Sequence, residues 1–165
     1  MALQVIGKTF TNGFAGMFAR QPDQVIDTRI ADASGVAFGL PVKYDASGNI
    51  TTFGSGDAAT AFLGIVCSEV KTTAAGSNGA YAPGEPTAVM KRGRVNVKCN
   101  VGTPALNGDV YVRIVANALI PDGVVGEIEA SADSTNTIKL TNAKFGGAAD
   151  ANGIVEVEIL YPINA

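Results

Sequence analysis

The chain has 165 residues, a length that suits one domain with a real core, and its formal net charge is -3. Charged residues are only 16% and apolar residues 47%, so no overall field recruits nucleic acid or an anionic membrane. Histidine is absent, which removes the usual general base, the usual proton shuttle and the commonest metal ligand together.

Such a charge-poor chain either exposes small, bland side chains or hides surface in an assembly. The opening "MALQVIGKTF" carries one lysine and no long apolar run, so it does not read as a secretory signal. No stretch approaches the roughly 18 apolar residues of a membrane helix, and a soluble protein is expected. Next, "TFTNGFAGMFARQPDQ" spaces Phe10, Phe14 and Phe18 four apart. Gly13 and Gly16 lie between those rings and oppose a helix. The segment reads as an extended arm with apolar anchors; a segment folded over its own core is the alternative. "QVIDTRIAD" then reads as an edge strand with Ile26, Thr28 and Ile30 on one side.

"DASGN" sets oxygens at Asp45, Ser47 and Asn49, like the first half of a calcium loop. Position twelve of such a loop is Gly56 and the flanks read as strands, so a hairpin turn is expected. "GSGD" at 54–57 has no lysine and hydroxyl after it and fits no phosphate loop. A short helical piece is expected near Asp57–Ala61. "FLGIVCSEV" reads as a more fully buried strand, and "GSNG" (76–79) and "YAPGEP" (81–86) as turns.

"VMKRGRVNVKC" puts Lys91, Arg92 and Arg94 almost side by side. Val95, Val97 and Cys99 point one way, and Arg94, Asn96 and Lys98 the other. Arg92 and Arg94 share a face in a regular strand, but Gly93 between them marks a bulge that re-aims one of them. No aromatics interleave with these cations, as a nucleic-acid groove needs. Arginine forks pair well with carboxylates, so this knot reads as a protein contact. A solvated face whose charge guards a strand edge is the plain alternative.

Further on, "GDVYVRI" and "NTIKLTN" alternate as half-buried strands, and "LNGD", "PDG" and "DANG" read as turns. In "GIVEVEILYP", Val155, Val157, Ile159 and Tyr161 share one face. Glu127 with Glu129, and Glu156 with Glu158, look like exposed strand faces rather than acid–base pairs. Without histidine no catalytic triad is completed. Cys67 and Cys99 sit in apolar strands without zinc-site spacing and read as buried thiols, with a disulfide left open. No catalytic, cofactor-binding or metal residue is assigned. Period-two patterning, 20 glycines and closely spaced turns predict an all-β barrel or sandwich.

The order "FGLPVKYD", "FLGIVCSEV", "YAPGEPTAVMKRGRVNVKC", "ALNGDVYVRI" resembles the capsid cement, or head-decoration, proteins of tailed bacteriophages. The matching positions include Phe38, Gly39, Pro41 and Val42, then Gly64–Val66. They continue through Tyr81, Gly84, Pro86, Val89, Gly93, Val95 and Val97 to Gly108–Val112. "GFAGMFAR" is similar to the glycine-rich arm of those proteins. The resemblance implies a small β-barrel or β-tulip-like domain over 36–165, after an extended arm and edge strand over 1–35. It implies a non-enzymatic, homotrimeric virion protein without cofactor, made in the host cytoplasm. Its place would be the outer surface of the mature capsid, where it cements neighbouring major capsid subunits. No nucleic acid, membrane or small-molecule substrate is expected as a partner. The contact candidates are Phe10, Phe14, Met17, Phe18, Arg20, Arg92 and Arg94. A phage tail or baseplate β-module is the alternative.

Overall fold

The computed structural model describes residues 11–68 and 79–160. Its strands are β1 (Phe18–Ile30), β2 (Val36–Ala37), β3 (Pro41–Tyr44), β4 (Ile50–Thr52), β5 (Gly64–Cys67) and β6 (Ala80–Tyr81). They continue with β7 (Pro86–Lys98), β8 (Asp109–Arg113), β9 (Ile128–Glu129), β10 (Thr137–Phe145) and β11 (Ile154–Ile159). One sheet runs β4-β3-β5-β7-β11-β10-β8-β9, with β1 laid on β7 beside this path; β2 and β6 pair separately. The sheet curls into a half-barrel. The all-β expectation holds. The short helical piece is a 3-10 turn at Ala59–Ala61.

β7 is the spine of the molecule. One edge carries β1 along its length. The other edge is shared: β5 pairs with Ala88–Met90 and β11 with Gly93–Lys98. Ala88, Met90, Val95 and Val97 enter the main core with Ile65, Cys67, Val110, Val112, Leu140 and Val157. Val89 enters a second, smaller core with Val42, Ile50, Leu63 and Val66. Burial on both faces is why "FLGIVC" is apolar without alternation.

The core-facing residues of β7 are even-numbered up to Met90 and odd-numbered from Val95. That switch of parity is the bulge expected at Gly93. The irregularity continues into β1, where Arg20 pairs with Arg94 but Val25 pairs with Arg92. Gly93 has φ +124, and a Cβ there would lie 2.8 Å from the Asp23 carbonyl oxygen. Only glycine lets the two backbones pass at this point.

Of the two readings of the arm, its described part takes the folded-back one. The Gly16 amide donates to the Asn96 carbonyl (2.7 Å), and the Asn96 amide donates to the Met17 carbonyl (2.8 Å). The Ser68 amide donates to the Gly16 carbonyl (3.0 Å). Asn12 secures the outer end: its amide donates to Asp150 Oδ2 (2.9 Å) and its Nδ2 to the Ile154 carbonyl (2.7 Å). Asp150 Oδ1 meanwhile accepts from Asn152 and Ile154 and shapes the "DANG" turn. The arm thus docks on a turn that its own carboxylate holds rigid.

The "DASGN" hairpin joins β3 and β4 as expected. Asp45 Oδ1 accepts the Ser47 and Asn49 amides, both at 2.8 Å. Cys67 and Cys99 are buried thiols, and burial pushes the Cys99 thiol up from its ordinary pKa. The expectation of solvent-facing glutamates is corrected for Glu129 and Glu156, which are buried. Both lie against arginines on neighbouring strands, and those partners offset the desolvation of the charge.

Candidate functional site

The basic knot finds its carboxylates within the chain. Lys91 pairs with Asp27 of β1 at 2.5 Å. Arg92 Nε donates to Asp23 Oδ2 at 3.0 Å, and its Nη2 reaches the other oxygen of the same carboxylate. Arg94 turns the opposite way, to β11, where it donates to Glu156 and Glu158, each at 2.9 Å. The bulge therefore does re-aim the two arginines, one toward each neighbouring strand. The hydrogen bonds to Asp23 and Glu156 hold the Arg92 and Arg94 guanidinium groups above their ordinary pKa. The hydrogen bond from Lys91 holds the Asp27 carboxyl below its own.

Arg20 completes the cluster from the start of β1. Its Nε donates to Glu156 Oε2 at 2.8 Å, while 65% of its side chain stays exposed. Arg20, Gln21, Asp23, Arg94, Glu158 and Leu160 line an open groove of about 390 Å³ over the bulge. Its charges are balanced, so its rim offers both forks and carboxylates to a partner. Among the described residues no cluster of three or more His, Cys, Asp or Glu is placed to hold a metal ion.

The contact candidates divide by environment. Phe10 lies outside the described residues. Phe14 is 51% exposed at the crest of the arm. Met17 and Phe18 are half-buried, with Phe18 packed on the main core. Arg20 and Arg92 are exposed and Arg94 is half-buried. Phe14, Arg20, Arg92 and Arg94 therefore keep surface available, whereas Phe18 serves the fold. Phe14 and Phe18 do not form one stripe, because the turn around Ala15 and Gly16 lies between them.

Sequence reasoning missed a second charged cluster. Arg113 is fully buried. Its Nη2 donates to Glu129 Oε2 at 2.9 Å and its Nε reaches the other oxygen of that carboxylate. Its Nη1 donates to Asp133 at 2.8 Å, and Asn117 donates to the same Asp133 oxygen at 2.9 Å. This clamp ties the loop after β8 to β9 and to the turn before β10. In "DVYVRI" the alternation assigned Arg113 to solvent. Only the register of β8 against β9, with Tyr111 opposite Glu129, brings the two charges together.

A curled β-sheet, an arm bonded to it and a rim of paired charges make up one all-β structural module. The chain belongs to the family described as structural cement protein (E217 gp24/Pam3 gp6), whose model matches residues 3–160. Its role is the structural cementing of a phage capsid, as the resemblance implied. Among solved structures, a chain of "The capsid of Myoviridae Phage XM1" is similar in fold. It superposes with a TM-score of 0.71 at 19% identity, over 93% of this chain and 94% of that one. No curated protein matches the chain.

Proposed function

We propose that the protein binds the outer surface of the mature capsid and ties neighbouring major capsid subunits together. We place its contact face on the arm crest and the groove over the β1 bulge. Family membership over residues 3–160 supports the cementing part. The observation that carries the choice of face is the pairing of an exposed Phe14 with an exposed Arg20 fork on one fixed segment. A clamp across subunit joints adds buried area that must be lost before the joints open. The task needs no catalysis, and we propose none. A nucleic-acid grip is disfavoured, because Lys91, Arg92 and Arg94 are matched by carboxylates of their own chain. A homotrimer rests on the charge-poor composition together with the resemblance, and neither the family nor the similar capsid structure favours the tail or baseplate reading.

The test is reconstitution on expanded capsids stripped of this protein. Wild-type chain should saturate the shell and delay its thermal disruption, and cryo-electron microscopy should place the arm crest and groove against capsid subunits. Density at the inner shell wall, or an attached face on the opposite side of the barrel, would refute the proposal.

A further inference from the structure

After β8 the chain leaves the sheet and comes back to the point it left. The Arg113 amide donates to the Glu127 carbonyl (3.0 Å) and the Gly126 amide to the Arg113 carbonyl (2.8 Å). The two ends of the excursion, residues 114–125, are thus bonded to each other. Compact loops of this length with joined ends are frequently functional. Two tight turns follow one another inside it. The Ile120 amide donates to the Asn117 carbonyl (2.9 Å), and the Gly123 amide to the Ile120 carbonyl (3.0 Å). Asn117 Oδ1 also accepts the Leu119 amide (3.0 Å), and Pro121 presets the backbone of the second turn.

The buried clamp holds this loop from beneath. Asn117 Nδ2 donates to both oxygens of Asp133, at 3.2 and 2.9 Å, and Arg113 donates to the same carboxylate. Gly123 closes over the Arg113 guanidinium so tightly that a Cβ there would collide with Nε. Val115 packs on the main core. What this framework displays is apolar. Leu119 is 90% exposed, and Val124 and Val125 are exposed with it. From Val115 to Gly126 the only charge is Asp122. A leucine held in water stabilises nothing in the free chain. A fixed loop does lower the ordering cost of meeting a partner.

We infer that Leu119 is a docking knob, seated in an apolar pocket of a major capsid subunit next to the one gripped by the arm crest and groove. The inference rests on the cementing reading and names the second contact that reading needs, because tying two subunits takes two grips. β11 and β10 stand between β7, which lies under the groove, and β8, which carries the loop. Three strand spacings separate the two places by about 14 Å along the sheet. The knob is a few side chains, far below the roughly 800 Å² per partner of a stable interface. It therefore cannot hold a second copy of this chain by itself. It suits a contact that another grip on the same lattice already brings close. Without a cation the loop fits neither nucleic acid nor an anionic membrane. Its one acid, Asp122, disfavours an acidic rim around the pocket.

The experiment titrates full-length variants onto expanded capsids stripped of this protein, then follows the thermal disruption of the filled shells. Leu119→Asp should weaken binding at least about tenfold. Shells filled with it at saturating concentration should break at a lower temperature than shells filled with wild type. Leu119→Met, which keeps an apolar tip, should retain both properties. Melting of the free protein should be unchanged in each, because the side chain stands in water. A photoreactive benzophenone side chain at position 119 keeps the test open if Leu119→Asp misfolds. Irradiated on the particle, it should link to a capsid subunit. Two results would overturn the knob and leave the cementing reading standing, provided Phe14→Ala still weakens binding. One is Leu119→Asp that binds and protects shells like wild type; the other is a link from position 119 to another copy of this chain alone. Failure of the wild-type chain to bind stripped shells would instead overturn the cementing reading, and the knob with it.

Discussion

Arg113 and Arg92 show how differently one residue type acts at two depths. Arg113 has lost its hydration and depends on Glu129 and Asp133 for compensation. Arg113→Ala would leave Glu129 buried and unpaired. It should lower unfolding free energy by about 3–5 kcal/mol, read from the denaturant midpoint. Arg92→Ala, at an exposed pair, should change that midpoint little. Asp133 of the loop clamp and Glu127, at the entry to β9, set opposite pH dependences. Hydrogen bonds from Asn117 and Arg113 hold the Asp133 carboxyl below its ordinary pKa. Its contribution is therefore complete above the usual carboxylate range and is lost as pH falls through that range and below. Burial pushes the Glu127 carboxyl up, so its charge opposes folding at neutral pH. Glu127→Gln should raise the melting temperature at pH 7. The gain should fade as pH drops into the upper carboxylate range, where the native glutamate takes up its proton. A gain that grew on acidification would contradict this sign.

The long strands were readable to different depths. In β8 and β11 the core-facing Val110, Val112, Val155, Val157 and Ile159 alternate and are readable directly from the sequence, whereas Arg113 departs from that alternation and β10 changes parity between Leu140 and Ala143. β1 was only half readable. Its Val25–Ile30 part has the period of a strand, but the irregular register from Arg20 to Val25 hides the rest. The site was harder still. The arginines of the knot were visible, whereas their partners Asp23, Glu156 and Glu158 lie far along the chain and needed the register of β7 with both neighbours. The crossing itself depends on one residue. Gly93→Ala combines an unfavourable positive φ with a Cβ 2.8 Å from the Asp23 backbone. It should cost about 1–3 kcal/mol and displace the bulge. Faster amide exchange in residues 20–25, with β8 and β10 unchanged, would be the signature. Unchanged exchange in the bulge would show that β1 does not depend on Gly93.

For the whole molecule, attachment and folding draw on different parts of the same arm. Asn12, Gly16 and Met17 bond to the barrel, so the arm crest is held in place before any partner arrives. Binding through a held segment avoids most of the ordering cost that a glycine-rich tail would incur. Phe14 stands on that crest with half its surface in water. Burying such a ring contributes about 1.5–3 kcal/mol, and each 1.4 kcal/mol corresponds to about tenfold in affinity. Phe14→Ala should therefore weaken shell binding by roughly ten- to a hundredfold while leaving the melting of the free protein nearly unchanged. Phe18→Ala should do the reverse, because that ring packs on the main core. Titrating both variants onto stripped capsids, with thermal melts of each free protein, separates the two roles. If Phe14→Ala binds like wild type, the arm crest faces solvent on the particle, and attachment must run through the groove over the bulge, where Arg20→Ala would then carry the loss.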